Sequence, residues 1–159
     1  MFVNIMKSSD KIQNYEIILS NLDYYIIKGD NLVTNLSNLS SFLDYFLDDI
    51  NWVGFYLFDG EKLYLGPFQG LPACTSIALG NGVCGTCALS KQSIVVNDVH
   101  VFKNHIGCDS SSNSEIVIPI IKNNQLIGVL DIDSPSYSRF DKIDKLYLEK
   151  VIGKLVDKL

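Results

Sequence analysis

This chain has no basic excess. Its 13 Lys and Arg stand against 18 Asp and Glu, a formal net charge of −5. Nucleic acids and acidic membranes both need a positive footprint, so neither is an expected partner. No stretch approaches the roughly 18–20 uninterrupted apolar residues of a membrane span, and the opening MFVNIMKSSDK lacks the apolar core of a secretory signal. The expected setting is therefore soluble and cytoplasmic. Internal repeats and low-complexity linkers are missing too, and the 159 residues suit one domain, 1–159, with a real core. Cysteine is scarce. Four in an intracellular chain point to catalysis, metal binding or packing, and not to a disulfide framework.

What is present reads as α+β. Ile12, Tyr15, Leu19, Leu22 and Ile26 fall at helical spacing over 11–27, with Ser9 or Asp10 as N-cap and Gly29 as stop. Leu32, Leu36, Leu39, Leu43, Phe46 and Ile50 make the stripe of a second helix over about 31–49, capped by Asp30. Period two then takes over. Residues 51–58 form a strand, and Asp59-Gly60 predicts a hairpin into 62–65. Trp52, Gly54 and Tyr56 share one face, Val53, Phe55 and Leu57 the other; both are apolar, so the strand is central. Residues 66–91 read as a Gly-rich loop entering a short helix near Gly85, and 93–97 as a short strand. A hairpin over 116–122 and 125–133 turns at Asn123-Asn124. The last helix, from about Asp141, points Ile143, Leu146, Leu148, Val151, Ile152, Leu155 and Leu159 inward. The expected layout is one central antiparallel sheet, helices on one face and long loops on the other, enclosing a pocket.

The chemistry gathers in two places. The stretch HIGCDSSSNSE, 105–115, sets His105, Cys108, Asp109 and Glu115 on an irregular loop that runs straight into an apolar strand. Upstream, Cys84-Gly85-Thr86-Cys87 has CxxC spacing, with Cys84 near a helix N-terminus, a position that lowers a thiol pKa. The residues alone leave three readings. Cys87, beside Ala88 and Leu89, suits inert packing. The pairs Cys84/Cys87 and His105/Cys108 could bind zinc. Cys74 and Cys108, both on Gly/Ser-rich loops, could be the nucleophile and resolving thiol of a sulfenic-acid cycle. Asp131 and Asp133 share one face of a strand, where like charges raise each other's pKa; they either end the strand in solvent or hold a cation and a proton. Glu115 could complete the acidic group. With a plain two-residue turn, however, residue 115 falls opposite 132 and on the wrong face, so the hairpin must be bulged or Glu115 must belong to the loop.

The segments NWVGFYL, LGPFQG, GVCG, VNDV, SEIVIPI and IGVLDIDS, with the cysteine after Ala73 and HI-x-CD, cover nearly the whole chain. Together they resemble the free methionine-(R)-sulfoxide reductases, enzymes built on a GAF domain. The resemblance places the family's three cysteines on Cys74, Cys84 and Cys108, and its substrate contacts on Trp52, Tyr56, Glu115, Asp131 and Asp133. Cys87 matches no redox position. Lys103, Asn104 and Gly107 stand where the family usually has Pro, Gly and Ala. The implied reaction is reduction of free methionine-(R)-sulfoxide with Cys108 as nucleophile, Cys74 or Cys84 resolving and Asp133 as proton carrier. No bound cofactor or metal is implied. Thioredoxin is the implied reductant, drawing on NADPH, and a homodimer is left open. The rival readings are a GAF sensor without catalysis and a zinc-stabilised interaction domain.

Overall fold

The computed structural model describes residues 5–159. Elements run α1 (Lys11–Tyr25), α2 (Leu32–Phe46), β1 (Trp52–Phe58), β2 (Lys62–Gly70), β3 (Ser76–Ala78), α3 (Gly82–Ser90), β4 (Ile94–Val96), a 3-10 turn (Val99–Val101), β5 (Ser114–Lys122), β6 (Gln125–Ser134) and α4 (Lys142–Lys158). Six strands form one antiparallel sheet in the order β3-β2-β1-β6-β5-β4. No helix among the described residues is long and apolar enough to cross a membrane.

The two faces of β1 feed two cores, as the alternation in the sequence requires. Val53, Phe55 and Leu57 join Ile116, Ile118, Leu130 and Ile132 under α1, α2 and α4. Trp52 and Tyr56 join Val117, Val129 and Cys87 on the opposite side, under α3 and the long loops. The expected segregation of helices to one face is therefore incomplete: α3 lies on the loop side. Gly128 lets the central pair close up, since a Cβ there would sit 2.2 Å from the Tyr56 carbonyl oxygen.

Local choices differ from the sequence expectations at several points. Asp10 caps α1, accepting from the Gln13 N–H, and Asn31, not Asp30, caps α2, accepting from the Val33 N–H. α1 stops at Tyr25 because Ile26 already has extended dihedrals, and Gly29 lies in the turn beyond. Its buried stripe is Tyr15, Ile18 and Leu22, leaving Ile12 outside; Leu146 of α4 likewise faces out, and Ile50 lies beyond the end of α2. β2 continues to Gly70 and β3 appears where a loop was expected. A register shift between Gly54 and Tyr56, with Gly66 and Pro67 in the middle of β2, breaks the period by which a strand is recognised.

Asp144 anchors α4 to the rest. Its buried carboxylate accepts from Tyr15 Oη (2.7 Å) and pairs with Lys11 (2.7 Å) and Arg139 (3.1 Å), while Asp141 and Asp144 form a capping box. Three partners supply the compensation that a buried charge requires.

Candidate active site

A bulge decides which acids meet. Asn123 and Asn124 both have positive φ, as a tight primed turn demands, and Lys122 pairs with Gln125. One step on, Ile127 has no opposite number: Ile121 faces Leu126 and Ile120 faces Gly128. The extra residue moves β6 by one place, so that Glu115 stands opposite Asp133 and on its face. Of the two solutions open to the sequence, the structure takes the bulged hairpin. Asp131 faces Gly54 across the other neighbour, β1.

Glu115, Asp131 and Asp133 thus line one cleft together with Trp52, Tyr56, Cys84 and Cys108, enclosing about 530 Å³ out to the open mouth. Burial raises all three carboxyls. Asp131 is pushed up to about 6 by burial, with the nearby Cys84 thiol and Glu115 limiting the rise. Glu115 goes well above the carboxylate range through burial and the charges of Asp131 and Asp133; Asp133 does the same through burial and then Asp131 and Asp109. The three acids together resist full ionisation. Asp131 Oδ1 is buried and meets no hydrogen-bond partner among the described residues.

The thiols divide into two kinds. Cys74, on the loop between β2 and β3, and Cys108, on the loop before β5, are joined as a disulfide with Cα atoms 5.6 Å apart. Cys84 and Cys87 are free and buried. Cys84, the third residue of α3, was expected to have a lowered pKa. It is instead raised well above the thiol range, by burial first and then by the charges of Asp131 and Glu115; the helix N-terminus does not offset them. Its thiol lies 3.8 Å from Glu115 Oε1. Cys87 points away, its Sγ 3.7 Å from the Val117 carbonyl. The Cys3His zinc arrangement therefore does not assemble, since Cys87 faces the core and Cys108 is already bonded.

Both aromatic residues hold the Cys74 loop. Trp52 Nε1 donates to Leu71 O (3.1 Å) and Tyr56 Oη to Cys74 O (3.0 Å), which satisfies the polar ends of two buried rings. Gly54 makes room for this wall: a Cβ there would lie 2.3 Å from Phe68 Cβ, and Phe68 stacks on Trp52. The Cys108 loop is tied by Asn51, whose amide donates to Asp109 Oδ2 (2.9 Å), Ser111 Oγ (3.1 Å) and Ser112 Oγ (3.0 Å). Asp109 also accepts from the Ser111 N–H and hydroxyl, which holds its carboxyl below the usual range. The sequence places Asp109 on this loop without giving it a role, and it marks neither Asn51 nor Ser112, although their neighbours Trp52 and Cys108 point to the places to look. His105 lines the cleft with a buried Nδ1 that has no partner among the described residues, and burial lowers its pKa.

A curled antiparallel sheet with a loop-roofed cleft is the architecture of a GAF domain, and the GAF family model matches residues 39–153. A free methionine-R-sulfoxide reductase of Escherichia coli is 49% identical over 125 residues, spanning 79% of this chain and 76% of that protein. One from Saccharomyces cerevisiae is 47% identical over 136 residues, 80% of this chain and 75% of that protein. The crystal structure of the Neisseria meningitidis free methionine-R-sulfoxide reductase with its substrate superposes with a TM-score of 0.94 at 38% identity, covering 99% of this chain and 95% of that one. The chain belongs to the free methionine-R-sulfoxide reductases of the GAF-domain family.

Proposed function

We propose that the protein reduces free methionine-(R)-sulfoxide to methionine, as one GAF-like unit over residues 1–159. The observation that carries this reading is the convergence of two buried carboxyls, Glu115 and Asp131, the half-buried Asp133 and a disulfide of two loop cysteines on one cleft. Asp131 receives the substrate ammonium. Trp52 and Tyr56 cover the methyl and methylene groups. The substrate carboxylate faces the start of α3, where Asn81 and Gly82 line the cleft and Asn81 makes no side-chain cap bond.

The Cys108 thiolate attacks the sulfoxide sulfur while Asp133, kept protonated by its surroundings, gives its proton to the departing oxygen. Methionine and a Cys108 sulfenic acid result. The Cys74 thiol then condenses with that sulfenic acid, releasing water and forming the Cys74–Cys108 disulfide. Thioredoxin restores both thiols by exchange, its own dithiol becoming a disulfide that NADPH reduces in turn. Cys84, buried beneath the acids, is a slower alternative resolving thiol. The acids would hinder ionisation of Cys108, and the bound ammonium offsets them. The mouth-side disulfide favours this reading over a sensor, which has no need of paired thiols. The setting is cytoplasmic, where thioredoxin keeps thiols reduced, and the native mass in solution distinguishes a monomer from a homodimer.

The test is thioredoxin-coupled oxidation of NADPH with free methionine-(R)-sulfoxide. Turnover with the R and not the S epimer is expected. A single turnover of the dithiol-reduced enzyme, without thioredoxin, separates the substrate from the reductant. No methionine release in that format would refute the reaction; release without NADPH consumption would refute only the thioredoxin assignment.

A further inference from the structure

Beneath the disulfide, a thiol and two carboxylates meet. Cys84 Sγ, one Glu115 carboxylate oxygen and one Asp131 carboxylate oxygen all lie within 4.8 Å of one another, on buried side chains. They come from three elements, α3, β5 and β6, so the sheet and helix packing fixes their spacing. A second observation is independent of the clustering. Asp131, only 6% exposed and lining the cleft, has a buried Oδ1 with no hydrogen-bond partner among the described residues. A buried, unpartnered carboxylate oxygen calls for a cation.

We propose that Cys84, Glu115 and Asp131 form a binding site for one borderline-soft divalent cation of the zinc type. Zinc takes thiolate sulfur at about 2.3 Å and carboxylate oxygen at about 2.0 Å in a tetrahedron, which sets ligand atoms roughly 3.5 Å apart. The present spacing needs side-chain adjustments of about an ångström, within reach of χ rotations. Water fills the fourth position. Calcium wants six to eight oxygens and magnesium an octahedron with several waters, so a thiol and two carboxylates in a narrow cleft disfavour both. Binding displaces the protons of both Cys84 and Glu115. The set differs from the Cys3His arrangement of the sequence, since it uses neither Cys87 nor His105. Because Cys84 stays outside the Cys74–Cys108 disulfide, the site exists in the oxidised protein as well. An ion there would take the place of the substrate ammonium and inhibit, a consequence that rests on the reading in the preceding subsection.

The experiment uses the oxidised protein, with its disulfide intact and no substrate, titrated with Cd²⁺ while the ultraviolet thiolate-to-cadmium band is followed. A band saturating at one ion per chain and displaced by Zn²⁺ is expected, with excess Mg²⁺ having no effect. Cys84→Ser should abolish the band and Cys87→Ser should leave it intact. Asp131→Asn, measured by calorimetry with Zn²⁺, should weaken binding at least tenfold and carries the test should Cys84→Ser fail to fold. A band that survives Cys84→Ser, a band lost in Cys87→Ser, or unchanged Zn²⁺ affinity in Asp131→Asn would each overturn the proposal. With no substrate present, failure of the ammonium assignment would leave these measurements untouched.

Discussion

Replacing Asp131 by Asn should make the ligand-free protein more stable while removing its affinity for substrate. The carboxyl titrates near 4 when unfolded and at about 6 in the fold. A carboxyl raised on folding binds its proton more tightly in the native state, so stability falls as pH rises from about 4 to about 6 and stays lower above. That rise in pKa corresponds to ~3 kcal/mol at neutral pH. Glu115 and Cys84 share the same environment, so we take the recoverable part as about 1.5–3 kcal/mol. At ~2–4 °C per kcal/mol for a chain of this size, Asp131→Asn should melt ~3–12 °C higher at about pH 8. Near pH 4 the gain should shrink to a small fraction, because both forms of residue 131 are then largely uncharged. Thermal melts of the reduced proteins at the two pH values give the comparison, and methionine-(R)-sulfoxide, added in a Cys108→Ser background that cannot consume it, should stabilise only the protein that keeps Asp131. Equal or lower stability of the variant at pH 8, or a gain of the same size at pH 4, would refute the argument that desolvation of this charge dominates the site.

Cys108→Ser should abolish even one stoichiometric turnover, scored as methionine released from reduced enzyme. Cys74→Ser should keep the first turnover and lose most thioredoxin-driven cycling, and mass spectrometry should never find Cys108 joined to Cys87. The N-acetyl derivative of the substrate should have a kcat/KM lower by a few hundredfold or more. Losing a charge-assisted hydrogen bond costs roughly 1.5–3 kcal/mol, with a further penalty for the acid left unpaired, at ~1.4 kcal/mol per tenfold. Gly128→Ala should destabilise by at least ~2 kcal/mol, read from urea midpoints, because its methyl would strike the Tyr56 carbonyl and part β6 from β1.

The sequence and the structure agree best where a period is long and uninterrupted. Both faces of β1 were legible from alternation, and the join of β5 to β6 from the Asn123-Asn124 turn; β5 itself begins at Ser114, two residues before the expected Ile116. The convergence of Glu115 with Asp133 was not legible, since Ile127 reads like any other apolar strand residue and only the ladder shows it as the extra one. The short β3 and the far half of β2 were lost to Gly66, Pro67 and the bulge near Gly54, which erase the two-residue repeat. Cys84 illustrates a different limit. Its helix position was foreseen, yet the sign of its pKa shift depends on β5 and β6 delivering two acids beside it, a long-range fact that no local motif encodes.

The two aromatic side chains that wall the cleft are also the tethers of the loop bearing Cys74. An enzyme wired in this way ties substrate recognition to disulfide formation through the same hydrogen bonds. Trp52→Phe would keep most of the ring but release the Leu71 carbonyl, and Tyr56→Phe would release that of Cys74 itself. Either change loosens the leash on the second thiol while altering the first thiol's substrate. A fall in steady-state rate at these positions is thus ambiguous between two half-reactions. Quenched single turnovers, scoring methionine and disulfide separately, turn that ambiguity into a measurement of how tightly the two steps are yoked.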